Sequence, residues 1–204
     1  MKNFIFIFSV AIILCSCLKS QEDKANELIQ ADLRKTLIKP DSYKPIETTI
    51  DSAFSPYDDP VVLEKLTELA KTMVEINILK INMRSAKAKM AIWDNTYTSS
   101  LGKNRYSDAK EDYDAANSQF KKLNEKSRDL YKDVSSLLSQ EPKFLGFFVT
   151  HNYRADNNAG NTLIGNTVYI MDKDFKKILF SCEVEEYNQY QEAIKQIEEQ
   201  LEGE

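Results

Sequence analysis

From Val61 to Leu101 the chain contains neither glycine nor proline. Within that stretch Val62, Leu69, Ile76, Met83 and Met90 recur every seven residues, with Leu66 and Met73 in companion positions that later hold Lys80 and Lys87. A heptad of this kind predicts a long amphipathic helix whose far end has a wetter seam. Asp59 and Pro60 suit its start, a capping carboxylate followed by a ring whose missing N–H costs nothing in the first turn. The stretch from Thr98 to Asn104, with Gly102, reads as a break, and a second helix begins near Ser107. There Ala109, Tyr113, Ala116, Phe120, Leu123, Ser127, Leu130, Val134 and Leu137 follow alternating spacings of four and three up to Pro142. Two long seamed helices joined by a short turn predict an antiparallel helical hairpin over about residues 60–140.

The flanking segments have other periods. Ala25, Leu28, Ile29, Leu33 and Leu37 predict a helix over residues 22–38, stopped by Pro40. Ile46, Thr48 and Ile50 alternate with Glu47, Thr49 and Asp51, the pattern of a short half-buried strand. After the hairpin, residues 144–153 predict a strand with Leu145, Phe147, Val149 and Tyr153 on one face. Residues 167–171 and 178–182 predict two more strands, and Tyr187, Tyr190, Ile194, Ile197 and Leu201 a closing helix. The expected fold is therefore α+β. It has a small antiparallel sheet of about four strands packed with helices, and the hairpin is inserted between the first and second strands. Residues 25–204 are expected to form a single domain.

The chain has 42% hydrophobic and 29% charged residues, which is the composition of a globular protein. The net charge is −5 and no long basic run occurs, which argues against nucleic acid as a partner.

The N-terminus carries an address. Lys2 precedes an apolar run from Phe4 to Leu14 broken only by Ser9. That is shorter than the roughly 20 residues a spanning helix needs, and it fits the apolar region of an export signal. The run ends Leu14-Cys15-Ser16-Cys17, which resembles the lipobox of bacterial lipoproteins: an aliphatic residue, a variable one, a small one, then cysteine. A competing reading puts the modified cysteine at Cys15, but that places Leu14 where a small residue is wanted. The resemblance implies a signal peptide over residues 1–16, a diacylglycerol on Cys17 and a tether over residues 17–24. Acyl chains in combination hold a protein at a membrane stably. The short acidic cluster Glu22-Asp23 is similar to the surface-export signal of Bacteroidetes lipoproteins. A polar tether explains it equally well. Two further stretches, Pro40-Asp41-Ser42-Tyr43-Lys44-Pro45 and the loop from Tyr153 to Asn161, resemble a pairing in uncharacterised secreted proteins of Bacteroidetes. In that pairing an aspartate-serine-aromatic turn precedes one strand, and an arginine-x-x-asparagine-x-x-glycine loop joins two others. The resemblance implies a location in the cell envelope, at the outer membrane on its periplasmic or surface face, and offers no activity to carry over.

Groups able to do chemistry are few. His151 is the lone histidine and lies in a strand, on the face of Phe147 and Tyr153, where it reads as a hydrogen-bonded residue at the edge of a core. Cys182 aligns with Ile178 and Phe180 and reads as a core thiol. With one histidine and one cysteine beyond the signal region, no zinc set is expected. The loop from Asp156 fails the calcium-loop template, because Gly160 falls at position 5 and Thr167 at position 12. No phosphate loop, dinucleotide glycine pattern or nucleophile elbow occurs, so no cofactor, metal or catalytic residue is expected. Arg154, beside the Asn157–Gly160 turn, is a candidate polar contact. Trp93, Tyr97 and Tyr106 cluster at the far end of the hairpin, either as contacts for a protein partner or as a cap on the hairpin's own core. The expected function is that of a lipid-anchored binding or scaffold module. The competing expectation is an envelope enzyme acting on glycan or peptide through a pair of carboxylates facing a sheet-side cleft.

Overall fold

The computed structural model describes residues 19–94 and 100–202. The signal segment, Cys17 and Tyr97 lie outside the described residues. The protein is α+β; the described residues form four antiparallel strands in one sheet and four α-helices. In chain order these are α1 (Gln21–Thr36), a 3₁₀ turn (Pro40–Ser42), β1 (Lys44–Ser55), α2 (Pro60–Asp94), α3 (Ser100–Leu138), β2 (Lys143–Asp156), β3 (Thr162–Asp172), β4 (Ile178–Glu183) and α4 (Val184–Glu202). The sheet order is β1-β2-β3-β4, and α2 and α3 lie in the chain between the neighbours β1 and β2. Contacts divide the chain into two compact units. One holds the sheet, α1 and the first turn of α4; the other holds α2, α3 and α4 from Tyr190 onward.

In the sheet unit, α1 begins at a capping box. The Ser20 hydroxyl accepts from the Asp23 N–H, and the Asp23 carboxylate accepts from the Ser20 N–H. The buried row Ala25, Ile29 and Leu33 then lies against Val149, Tyr169, Met171 and Phe175. The other sheet face holds Ala53, Val168 and Ile170, covered by Val184 and Tyr187 of α4. The Tyr187 hydroxyl donates to Asp58 at 2.5 Å, and the second oxygen of Asp58 accepts from the Phe54 N–H at 2.8 Å.

Three bulges interrupt the ladder: Ile46 is extra between the pairs Pro45–Tyr153 and Glu47–Asn152 and is 50% exposed, outside the expected alternation with Thr48 and Ile50, and the other two reassign residues between the faces. Leu145 is the extra residue where Ala53 pairs Gly146 and Phe54 pairs Phe144, so it packs with Val168 and Ile170 and not on the Phe147 face. Leu179 is likewise extra between the pairs Ile170–Phe180 and Met171–Ile178, so Ile178 joins the α1 face while Phe180 and Cys182 take the other. One inserted residue inverts the period-two alternation, which simple spacing does not register. Strands β1 and β3 are also longer than their alternating cores. β3 starts at Thr162 and carries Leu163 and Ile164 largely exposed.

Gly165 pairs with Tyr153, whose ring lies across it; a Cβ at Gly165 would stand 2.3 Å from that ring. A side chain at this position fits only if the Tyr153 ring shifts. At the β3–β4 turn Phe175 adopts a left-handed φ of 55°, and its ring stacks on Phe147 at 4.4 Å. That contact offsets a conformation costly to a bulky residue.

In the helical unit the α3 seam follows its spacing: Ala109, Ala116, Leu130 and Val134 are buried, and Tyr113, Phe120, Leu123 and Ser127 half-buried. On α2 the row Val62–Ile76–Met83–Met90 also turns inward. Its companion row is Thr72, Leu79 and Ala86, whereas Met73 is 45% exposed. The seam turns toward the small residues Ala86, Ala109 and Ala116, all buried. Gly102, expected in the break, is buried inside α3, seven residues before Ala109 on the same small-residue row. Near Pro60 the seam widens to admit α4, where Tyr190, Ile194 and Ile197 are buried and the Tyr190 hydroxyl meets Thr67 at 2.8 Å.

Replacing Gly165 with valine should displace the Tyr153 ring and cost about 1–3 kcal/mol, read as a lower urea midpoint at unchanged slope. An unaltered midpoint would mean that the ring moves aside freely.

Candidate functional site

The most organised polar cluster sits where the 3₁₀ turn meets β1 and β2. His151 is fully buried, and both ring nitrogens are engaged. Nδ1 lies 2.9 Å from the Thr48 hydroxyl and Nε2 2.9 Å from the Tyr43 hydroxyl. Thr48 donates its own hydrogen to Asn26 Oδ1 at 2.7 Å, so its oxygen accepts from His151 Nδ1–H. Nε2 then accepts from the Tyr43 phenol. One neutral tautomer satisfies the chain Tyr43–His151–Thr48–Asn26, which links the turn, β2, β1 and α1. The Tyr153 ring stacks on the imidazole with centroids 5.7 Å apart. Burial lowers the His151 pKa below its ordinary value and raises that of Tyr43, so each group keeps the proton the chain requires.

The same turn joins two stretches that are far apart in sequence. The Asp156 N–H donates to the Ser42 hydroxyl at 2.8 Å, and that hydroxyl donates to the Lys39 carbonyl at 2.7 Å. Asn157 closes the loop beyond, accepting from Asn161 N–H through Oδ1 and from Gly160 N–H through its carbonyl. Gly160 takes a φ of 84° there. The Asp41-Ser42-Tyr43 turn and the Arg154–Gly160 loop are therefore one structure. Arg154 is exposed in the row Lys44–Arg154–Ile164, one residue away from the Tyr153 face.

Beside the chain, α1 and the start of β1 bound a cleft of about 390 Å³ lined by Lys19, Asp23, Asn26, Glu27, Tyr43 and Pro45, among others. Its carboxylates already have work to do. Glu27 pairs with Lys19 at 2.5 Å, and the hydrogen bonds from Ser20 that cap α1 hold Asp23 below the usual carboxylate range. A general acid at neutral pH needs the opposite shift. Burial, with Glu186 and Glu183 adding to it, pushes the Cys182 thiol up to about 12, so it stays protonated at neutral pH. Among the described residues no three metal-ligating side chains converge.

The hairpin residues fall elsewhere. Trp93 is half-buried near the end of α2, with the Arg105 guanidinium of α3 4.8 Å above its ring. Tyr106 is half-buried seven residues before Tyr113 on the same row. Trp93 thus makes a contact across the hairpin. Sequence spacing missed the roles of Tyr43, Thr48 and Asn26; only the alternation of Thr48 with Glu47 and Thr49 marked any of them as inward-facing.

No protein-family model, no curated protein and no solved structure matches the chain.

The His151 shift sets a sign for pH dependence. A histidine whose folded pKa lies below its unfolded value of about 6.5 binds more protons when unfolded. Its contribution to stability is complete above that value and is lost as pH falls toward the folded pKa. The unfolding free energy should therefore drop between about pH 7 and pH 5. His151→Gln should be less stable at pH 7 and show a shallower slope over that interval. Parallel slopes for the two proteins would contradict the assignment.

Proposed function

We propose that this chain is a lipid-anchored protein of the bacterial cell envelope whose body acts by binding, as a contact or scaffold module, with the helical hairpin as its contact surface. The anchor reading rests on Leu14-Cys15-Ser16-Cys17 behind a short apolar run, with Cys17 the acylated residue and the membrane its first partner. The outer membrane is the proposed site. No helix among the described residues is long and apolar enough to cross a membrane.

The observation that favours binding over catalysis is the use of His151. The one imidazole in the chain is buried with both nitrogens committed to Tyr43 and Thr48, leaving neither to take a proton from a substrate. The cleft carboxylates Asp23 and Glu27 are likewise committed to Ser20 and Lys19, which disfavours the competing carboxylate-enzyme reading.

Labelled palmitate supplied to bacteria expressing the full chain should enter the protein. Cys17→Ser should abolish the label, and Cys15→Ser should leave it. Absence of label from all three proteins would end the lipoprotein reading.

A further inference from the structure

Helix α2 is apolar on two sides. One side carries the buried row of Thr72, Ile76, Leu79 and Ala86. On the other, Val74, Ile78, Ile81, Ser85 and Ala88, continued by Ile92, recur at alternating spacings of four and three. This is a second heptad seam. Val74 is 60% exposed, Ile78 52% and Ile81 63%, and Ser85 and Ala88 are exposed too. Among the described residues of α3 the only large apolar side chain so exposed is Leu101.

We propose that this seam binds a second copy of itself, antiparallel, to form a symmetric dimer. The seam is complementary to its own reverse. In an antiparallel pair Ile81 faces Ser85 of the partner subunit and Ile78 faces Ala88 of the partner subunit, each large side chain opposite a small one, and symmetry repeats both layers. Val74 faces Ile92 of the partner subunit. A parallel pair would instead stack serine on serine and alanine on alanine, leaving voids. Ser85 also borders a groove of about 340 Å³ lined by Asn82, Ala86, Lys89, Asp112 and Ala116, among others.

The charges agree with this register. Glu75, Asn82 and Lys89 each follow an inner position of the seam by one residue. In the antiparallel pair Glu75 lies beside Lys89 of the partner subunit, and Asn82 meets its own counterpart at the two-fold axis. The like charges at Arg84 flank the opposite edge, where Lys80, Arg84 and Lys87 border a groove with Tyr113 and Phe120, and Lys80 lies over the Phe120 ring. A lipid surface would gain little from Ser85 and Ala88 at the middle of the seam. Val74 to Ile92 spans about 27 Å of helix, which puts the contact at the small end of specific interfaces.

The proposal rests on reading the hairpin as the contact surface, and it is independent of the anchor. Crosslinking and palmitate labelling therefore fail separately. In the full chain with Cys15→Ser, Cys17→Ser and Cys182→Ser, so that no other thiol remains, Asn82→Cys is treated with a short bismaleimide, with Lys87→Cys as the off-seam control. Asn82→Cys should give a crosslinked species of twice the chain mass, and Lys87→Cys should not. Adding Ile81→Asp should reduce that species at least tenfold while leaving the circular dichroism unaltered, since Ile81 is exposed in the single chain. Equal crosslinking at both positions, or none at Asn82→Cys, overturns the proposal. So does crosslinking to a chain of another mass. Protection of the Asn82→Cys thiol from a membrane-impermeant maleimide without a dimer band assigns the seam to lipid and also overturns it.

Discussion

Strands β1 and β2 pair along nearly their whole length, yet the chain leaves the sheet at Ser55 and returns at Lys143, a separation of 88 residues. The Ser55 hydroxyl accepts from the Lys143 N–H at 3.2 Å, closing the opening through which α2 and α3 are inserted. Loop closure costs rise only with the logarithm of loop length. An insertion that folds on its own seam therefore adds little to the cost of pairing the strands that flank it. With β1 in place, one sheet face is available to α1 and the other to the first turn of α4.

The buried polar chain depends on that pairing. Thr48 is opposite His151 in the β1–β2 register, so a slip of one residue would remove the Nδ1 partner and place Glu47 or Thr49 against the imidazole. Tyr43 reaches Nε2 only because the Pro40–Ser42 turn is held to the β2–β3 hairpin through Ser42 and Asp156. Every group in the chain is satisfied, and an unsatisfied buried polar atom is expensive. The two hydrogen bonds of His151 thus depend on the strand register.

The hairpin follows a different economy. Small residues on the α3 row Gly102, Ala109 and Ala116 are buried, and long side chains such as Lys80 lie over the seam edge on Phe120. A seam between two helices uses only one face of each. On α3 the remaining surface is charged, but on α2 it retains isoleucines at helical spacing, and the proposed self-association follows from that difference.

Much of this was legible in the sequence. The two long heptad patterns, the lack of glycine and proline from Val61 to Leu101 and the strand alternations around them were enough for the α+β class and the hairpin between the first two strands. Those features are local periods, and a period of 3.6 or 2 declares itself without reference to the rest of the chain. The lone His151 on the Phe147–Tyr153 face was legible for the same reason. What required the tertiary structure was whatever depended on residues distant in sequence. The extra residues Leu145 and Leu179 move side chains across the sheet, the companion row on α2 rotates to Thr72, Leu79 and Ala86 because alanines face it, and Gly102 is a packing residue inside a helix. Tyr43, Thr48 and Asn26 converge on one imidazole from three separate elements. Each is settled by what stands opposite, and a sequence records neighbours along the chain but not across a strand pair or a helix seam.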